Sequence, residues 1–271
     1  MSRIATFFES SENATTPRKE RKKVLIAYLT VGYPTIEATL EVVPALLEGG
    51  CDMIELGIPF SDPLADGTTI QRASHRALQQ GVTPKLCLEV AHELRQRVDA
   101  PLIFMSYYNP LLRYGLEAFC AASAQGGIDG LIVPDLPPEE GAELERLAER
   151  HQMDLIYLLA PTTTRERLRL VAARSRGFIY VVSLRGVTGA REALPTDLED
   201  FIARVRGITS KPLCVGFGIA TPEQARRVAT LADGVILGSR IVEILESSEP
   251  RSIGAAAGAF IRQIRNAISP H

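Results

Sequence analysis

The chain is sparing with the residues that staple, span or ligate. It has four cysteines, Cys51, Cys87, Cys120 and Cys214, and no two of them form a CxxC pair. With no signal peptide, that pattern predicts reduced thiols in a cytoplasmic protein rather than a disulfide framework. Cys51 and Cys214 fall in apolar runs and read as core. The four histidines, His75, His92, His151 and His271, share no metal-ligand spacing, so no metal is expected. No apolar stretch approaches the roughly 18 residues needed to cross a bilayer. The formal net charge is −2 and the basic residues are scattered, which excludes the electrostatic footprint of a nucleic-acid binder. The densest basic stretch, PRKERKK at 17–23, also holds Glu20 and reads as a solvated linker between a helix and the first strand. There is no low-complexity linker, so residues 1–271 read as a single domain.

What is present is an alternation of short apolar runs with longer amphipathic segments. With 271 residues, 46% of them hydrophobic, the chain can bury a large core. The strand candidates are VLIAYLT (24–30), DMIELG (52–57), PLIFMSYY (101–108), GLIVPD (130–135), DLIYLLA (154–160), FIYVVS (178–183), PLCVGFG (212–218) and GVILGS (234–239). They are apolar nearly throughout, as parallel strands covered on both faces must be. Between them, TIEATLEVVPALLEGG predicts a helix after Pro34 that ends at a glycine pair, with Pro44 expected to kink it or shift its start. PPEEGAELERLAERH (137–151) opens with prolines and acids, which suits the positive end of a helix dipole. In TPEQARRVAT (221–230), Thr221, Pro222 and Gln224 spell a capping box. Eight strands alternating with helices predict an α/β fold, a single (β/α)8 TIM barrel with an extra N-terminal helix. An open doubly wound sheet would call for GxGxxG after the first strand, where LTVGYP stands.

In a barrel, chemistry belongs at the C-terminal ends of the strands. The stretch IELGIPFSDPLADG (54–67) is unusual there. It sets Glu55 inside an apolar run and follows it with Asp62 and Asp66 among prolines and glycines. Glu55 reads either as a tuned acid or as a buried glutamate paired with an arginine or backbone donors. Asp66 alone reads as an ordinary Asp-Gly turn. Asp135, after IVP, reads as a cap for the next helix or a loop contact. Three glycine-bearing loops close the sequence, in SLRGVTGAR (183–191), VGFGIATPEQ (215–224) and ILGSRIV (236–242). Glycine lets backbone N–H groups approach an anion, and a helix N-terminus adds partial positive charge. One phosphate is expected among Gly189, Gly218, Gly238 and Ser239, against the alternative that these glycines only make tight turns.

These stretches carry a resemblance. IELGIPFSDPLADG, MSYYNP (105–110), SLRGVTGAR and the GFGI/LGS pair near the end resemble, in order and spacing, the tryptophan synthase alpha subunit family, from about residue 20 to about residue 265. The resemblance implies a barrel that cleaves indole-3-glycerol phosphate to indole and glyceraldehyde 3-phosphate by acid–base retro-aldol chemistry. It implies no cofactor and no metal on this chain. It also implies pairing with a pyridoxal-phosphate-bearing beta subunit, in an alpha2beta2 assembly. Matched by motif, Glu55 stands for the family's acid–base glutamate, Asp66 for its indole-contacting aspartate, and Tyr180 for a tyrosine beside the reacting side chain. Tyr28 and Tyr107 match lining of the indole pocket. Thr188, Gly189, Phe217, Gly218, Gly238 and Ser239 match substrate positions. Asp62, Pro59, Pro63 and Asn109 fall on segments that face the beta subunit. Two positions depart from the family: Thr68, where proline is usual, and Tyr33, where a small polar residue is usual.

The chemistry suits these residue types. Protonating indole C3 lets indole leave neutral, while the side-chain hydroxyl loses its proton to become the aldehyde. One carboxyl in an apolar setting can serve both transfers, because burial raises its pKa toward working pH. A second carboxylate can hold the indole N–H as positive charge grows. Three other readings stand beside this one. An indole-glycerol-phosphate synthase would need a catalytic lysine at a strand end, and none stands there. A non-catalytic subunit would have no use for both Glu55 and Asp66. A free-standing lyase would release indole to solution. Mobile active-site loops are expected, including 184–197 and the loop that carries Asp66.

Overall fold

The protein is seen in a computed structural model that describes residues 2–8, 21–182, 198–216 and 218–269. Among the described residues nine strands, all parallel, follow one another in the order β5-β4-β3-β2-β1-β9-β8-β7-β6. They are β1 (Val24–Thr30), β2 (Met53–Gly57), β3 (Leu102–Met105), β4 (Gly130–Ile132), β5 (Asp154–Ile156), β6 (Leu158–Leu159), β7 (Ile179–Val182), β8 (Leu213–Gly216) and β9 (Gly234–Leu237). Eight strands were expected, and the ninth arises within the predicted run DLIYLLA. Asp154–Ile156 pairs with β4, whereas Leu158 and Leu159 pair with β7. The two ends of the sheet are therefore one stretch of chain that changes neighbours at Tyr157, and it nearly closes a TIM-type barrel with alternating helices around it.

Strand alternation divides the apolar residues between two cores. Leu25, Ala27, Leu29, Ile54, Leu56, Leu102 and Phe104 face outward and pack under the helices. Ile26, Tyr28, Met53, Ile103, Ile132, Ile156, Tyr180, Cys214 and Ile236 face the barrel interior. All four cysteines are buried and free.

The bottom of the barrel is closed by a short helix, α1 (Arg3–Phe8), which buries Ile4 completely. Phe8 meets Phe178 at 6.0 Å between ring centroids, and a side chain on Gly130 or Gly177 would strike Ile4. Three aspartates at strand starts repeat one arrangement beside it. Asp52, Asp129 and Asp233 accept the backbone N–H of Leu25, Leu102 and Leu213 on adjacent strands, at 2.8, 2.9 and 2.8 Å. Each also pairs with an arginine, Arg265, Arg95 and Arg206 respectively. Each arginine in turn donates to nearby backbone carbonyls.

The helices follow their sequence signals with two differences. The capping box of Thr221 and Gln224 is formed. The helix Ile36–Glu48 runs through Pro44, so the proline does not shift its start. Proline denies the Leu40 carbonyl its intrahelical donor, and the Arg97 guanidinium donates to that oxygen from outside at 3.4 Å. The segment expected at 137–151 divides at Gly141 into a single 3₁₀ turn (Pro138–Glu140) and an α-helix (Ala142–Arg150). Among the described residues, no helix is long and apolar enough to cross a membrane.

Candidate active site

Met53 packs inside the barrel, and Ile54 and Leu56 pack outside it, so alternation turns Glu55 inward. Its register partners are Tyr28 on β1 and Ile103 on β3. The side chain is fully buried, and neither carboxyl oxygen has a hydrogen-bond partner among the described residues. The expected alternative of a glutamate paired with arginine or backbone donors is thus not what the structure holds. Burial alone pushes the carboxyl up to about 8. It thus holds its proton to higher pH than an ordinary glutamate and can serve as an acid.

Two tyrosines flank it. Tyr28 and Tyr180 are both buried, and burial raises both phenols well above their ordinary value, with the negative charges of Asp66 and Glu55 adding to the shift. Each ring lies across a glycine that ends a neighbouring strand. A Cβ on Gly57 would fall 2.2 Å from the Tyr28 hydroxyl, and one on Gly216 would fall 2.3 Å from that of Tyr180. These glycines are what lets the phenols lie flat across the mouth. Sequence reasoning did not single out Gly57. The signal was an inward-facing position at a strand end that carried no side chain beside a tyrosine strand. The Tyr28 hydroxyl also shares a hydrogen bond of 3.2 Å with Thr30 Oγ1.

Asp66 comes from the loop that joins β2 to the helix Thr68–Gln79. The loop was expected to bring Asp66 into place by closing over substrate; in the structure Asp66 is buried. Its Oδ2 accepts a hydrogen bond from the Tyr107 hydroxyl at 3.1 Å, and that same phenol oxygen accepts from Ala65 N–H at 2.9 Å. Phe60 stacks on the Tyr107 ring at 5.3 Å, and Ser74 holds both the N–H and the C=O of Phe60. Gln71 donates to the Asp66 carbonyl at 2.9 Å. Burial raises the Asp66 carboxyl to about 6, against a lowering by the Tyr107 hydrogen bond. Asp66 therefore loses its proton at lower pH than Glu55.

The phosphate positions lie on adjacent strand ends. Gly218 follows β8 with φ +75° and open space where a Cβ would stand. Gly238 follows β9 and caps the helix that starts at Ser239. Thr188, Gly189 and Phe217, with the loop 184–197, lie outside the described residues. Of the segments expected to meet a partner, Asp62 and Asn109 are exposed and Pro63 is half-buried, while Pro59 is buried within the chain. Leu64, 88% exposed, and Leu112, 50% exposed, flank them as large apolar side chains in solvent. Asp135 caps a helix, but not the one that follows it: its Oδ1 accepts from Tyr108 N–H at 2.9 Å, at the start of Tyr108–Tyr114. Among the described residues no group of three His, Cys, Asp or Glu side chains is placed to share a metal ion.

Comparison with known proteins adds an independent line. Residues 15–268 match the family model for the tryptophan synthase alpha chain. The tryptophan synthase alpha chain of Dehalococcoides mccartyi is 55% identical over 249 residues, 92% of this chain and 96% of that one. That of Chloroflexus aurantiacus is 52% identical over 270 residues, 99% of both. Among solved structures, a chain of the tryptophan synthase of Mycobacterium tuberculosis superposes with a TM-score of 0.89 at 36% identity, covering 100% of this chain and 99% of that chain.

Proposed function

The chain belongs to the tryptophan synthase alpha chain family, and from that premise we propose how its barrel mouth works. As a member it is an indole-3-glycerol-phosphate lyase, a carbon–carbon lyase of tryptophan biosynthesis that partners a beta subunit. The residue roles are our reading. Glu55, protonated at rest, gives its proton to indole C3. The resulting indolenine draws the electron pair of the C3–side-chain bond back into the ring as that bond breaks. The Glu55 carboxylate then takes the proton of the side-chain hydroxyl, which becomes the aldehyde. The carboxyl ends as it began, so one group serves both transfers and no net proton is consumed.

Asp66 accepts the indole N–H and stabilises the positive charge that grows on the ring. Tyr28, Tyr107 and Tyr180 line the indole, with Tyr180 beside the reacting carbon. Gly218, Gly238 and Ser239, with Thr188, Gly189 and Phe217, hold the substrate's phosphate end. Exposed Leu64, Leu112, Asp62 and Asn109, with Pro59 and Pro63 behind them, make the beta-facing surface of a cytoplasmic, single-domain alpha subunit in an alpha2beta2 assembly. Pyridoxal phosphate belongs to the beta subunit.

The observation that carries this reading is the Glu55 carboxyl, buried inside the barrel and without a hydrogen-bond partner among the described residues. The test is indole release from indole-3-glycerol phosphate by the purified chain, with and without a tryptophan synthase beta subunit. Glu55→Gln is expected to lower turnover by at least the roughly 10²- to 10⁴-fold typical of general acid–base catalysis, with the fold intact by circular dichroism. Wild-type-like turnover in that variant would remove Glu55 from the mechanism. Release that rises strongly with the beta subunit supports a dependent alpha subunit; fast release indifferent to it points to a free-standing lyase.

A further inference from the structure

We propose that Tyr107 is a positioning residue that ties down one oxygen of Asp66 and leaves the other for the substrate's N–H. The inference rests on the reading of Asp66 given above. Its geometric basis is an asymmetry within one carboxylate. Oδ2 accepts from the Tyr107 hydroxyl at 3.1 Å, whereas Oδ1 is buried with no partner among the described residues. A buried carboxylate oxygen without a donor is costly unless a ligand supplies one. The indole N–H is a donor of the required kind.

Tyr107 is built to hold that arrangement. A phenol oxygen carries a single proton. Because this oxygen already accepts from Ala65 N–H at 2.9 Å, its own proton is directed at Asp66. One hydroxyl thus grips two consecutive residues of the loop, and the ring beneath it stacks on a third, Phe60. The tyrosine itself is fixed from behind. It precedes the helix Tyr108–Tyr114, whose first N–H is held by Asp135 from the loop after β4. The aspartate is therefore positioned through three strand-end loops. A hydrogen bond donated to a carboxylate also favours its ionised form. Among the described residues, Tyr28 from β1 and Tyr180 from β7 also face Asp66, and both disfavour that charge when ionised. Tyr107 is the donor that offsets burial.

The test uses the full chain together with its beta subunit and follows kcat/KM against pH for the wild type, Tyr107→Phe and Asp66→Asn. Removing the hydroxyl is expected to move the acidic limb, near pH 6 in the parent, up by about one unit, since a hydrogen bond to a charged group accounts for at least that much. It is also expected to lower kcat more than it raises KM, because the loop loses its orientation. Replacing Tyr107 with 3,5-difluorotyrosine, a better donor of the same shape, should move the limb the other way; this variant keeps the test sound if Tyr107→Phe folds poorly. An acidic limb unmoved in both variants, with Asp66→Asn inactive, would overturn the role of Tyr107 and leave that of Asp66 standing. Full activity in Asp66→Asn would overturn the reading of Asp66 and this inference with it.

Discussion

Glu55 links the chemistry of the mouth to the stability of the fold. Its folded-state pKa of about 8 lies above the ordinary glutamate value near 4.3 in an unfolded chain. Between those values the native state keeps a proton that the unfolded state has lost. Stability then falls as pH rises through the window, by up to about 1.4 kcal/mol per pH unit, and levels off above pH 8. Glu55→Gln is neutral at every pH, so its urea midpoint should lose this slope. The comparison is cleanest between pH 6.5 and 7.5, above the Asp66 window, which closes at about 6. Parallel slopes in the two proteins would mean that Glu55 is ionised in the fold. On the roles proposed for them, the same two carboxyls should set the limbs of activity, near 6 for Asp66 and 8 for Glu55. Glu55 was legible in the sequence because a charge inside an apolar run contradicts its surroundings. Tyr107 as the tether of Asp66 was not. The two residues are 41 positions apart, and only the parallel pairing of β2 with β3 brings the loops after them together.

Among the elements, strand positions could be read from apolar runs, and helix starts from caps. The boundaries were too generous at the strand ends, because side chains such as Tyr107, Tyr108 and Ser239 remain apolar or small where the backbone has already turned into a loop or helix. The split of Asp154–Leu159 between two neighbours was invisible for a different reason. Pairing depends on which strand lies alongside, and composition does not record it. Helix α1 could be expected as a helix, but its role as a plug depends on Ile4 filling the bottom of the barrel beside Gly130 and Gly177. Ile4→Ala should leave a cavity there and cost about 2–5 kcal/mol. For a chain of this size that is a fall in Tm of roughly 5–15 °C. The mouth is at the opposite end, so indole release at 25 °C should remain near the parent's. Differential scanning calorimetry beside the lyase assay checks both halves. A rate that falls with an unchanged Tm would mean that the plug reaches the chemistry.

At the scale of the molecule, the two ends of the barrel carry different burdens. The bottom holds α1 and three half-buried arginine–aspartate pairs, arrangements that secure strand ends. The mouth holds two acids with oxygens that have no partner among the described residues, glycines under tyrosines, and large apolar side chains left in solvent. Such a division is what a barrel enzyme with a partner requires, since chemistry and docking both belong to the strand-end loops. Leu64 tests the docking half. At 88% exposed it contributes almost nothing to the fold, so Leu64→Ser should change stability by no more than about 0.5 kcal/mol. It lies two residues before Asp66 but points away into solvent, so release by the chain alone should remain near wild type. If this face meets the beta subunit, the variant should lose affinity for it severalfold or more, and with it the stimulation of indole release at limiting beta subunit. Titrating beta subunit against the rate distinguishes the cases. A rightward shift with the same plateau marks lost affinity at an intact site. An unchanged curve would remove Leu64 from the interface and move the docking surface elsewhere on the mouth.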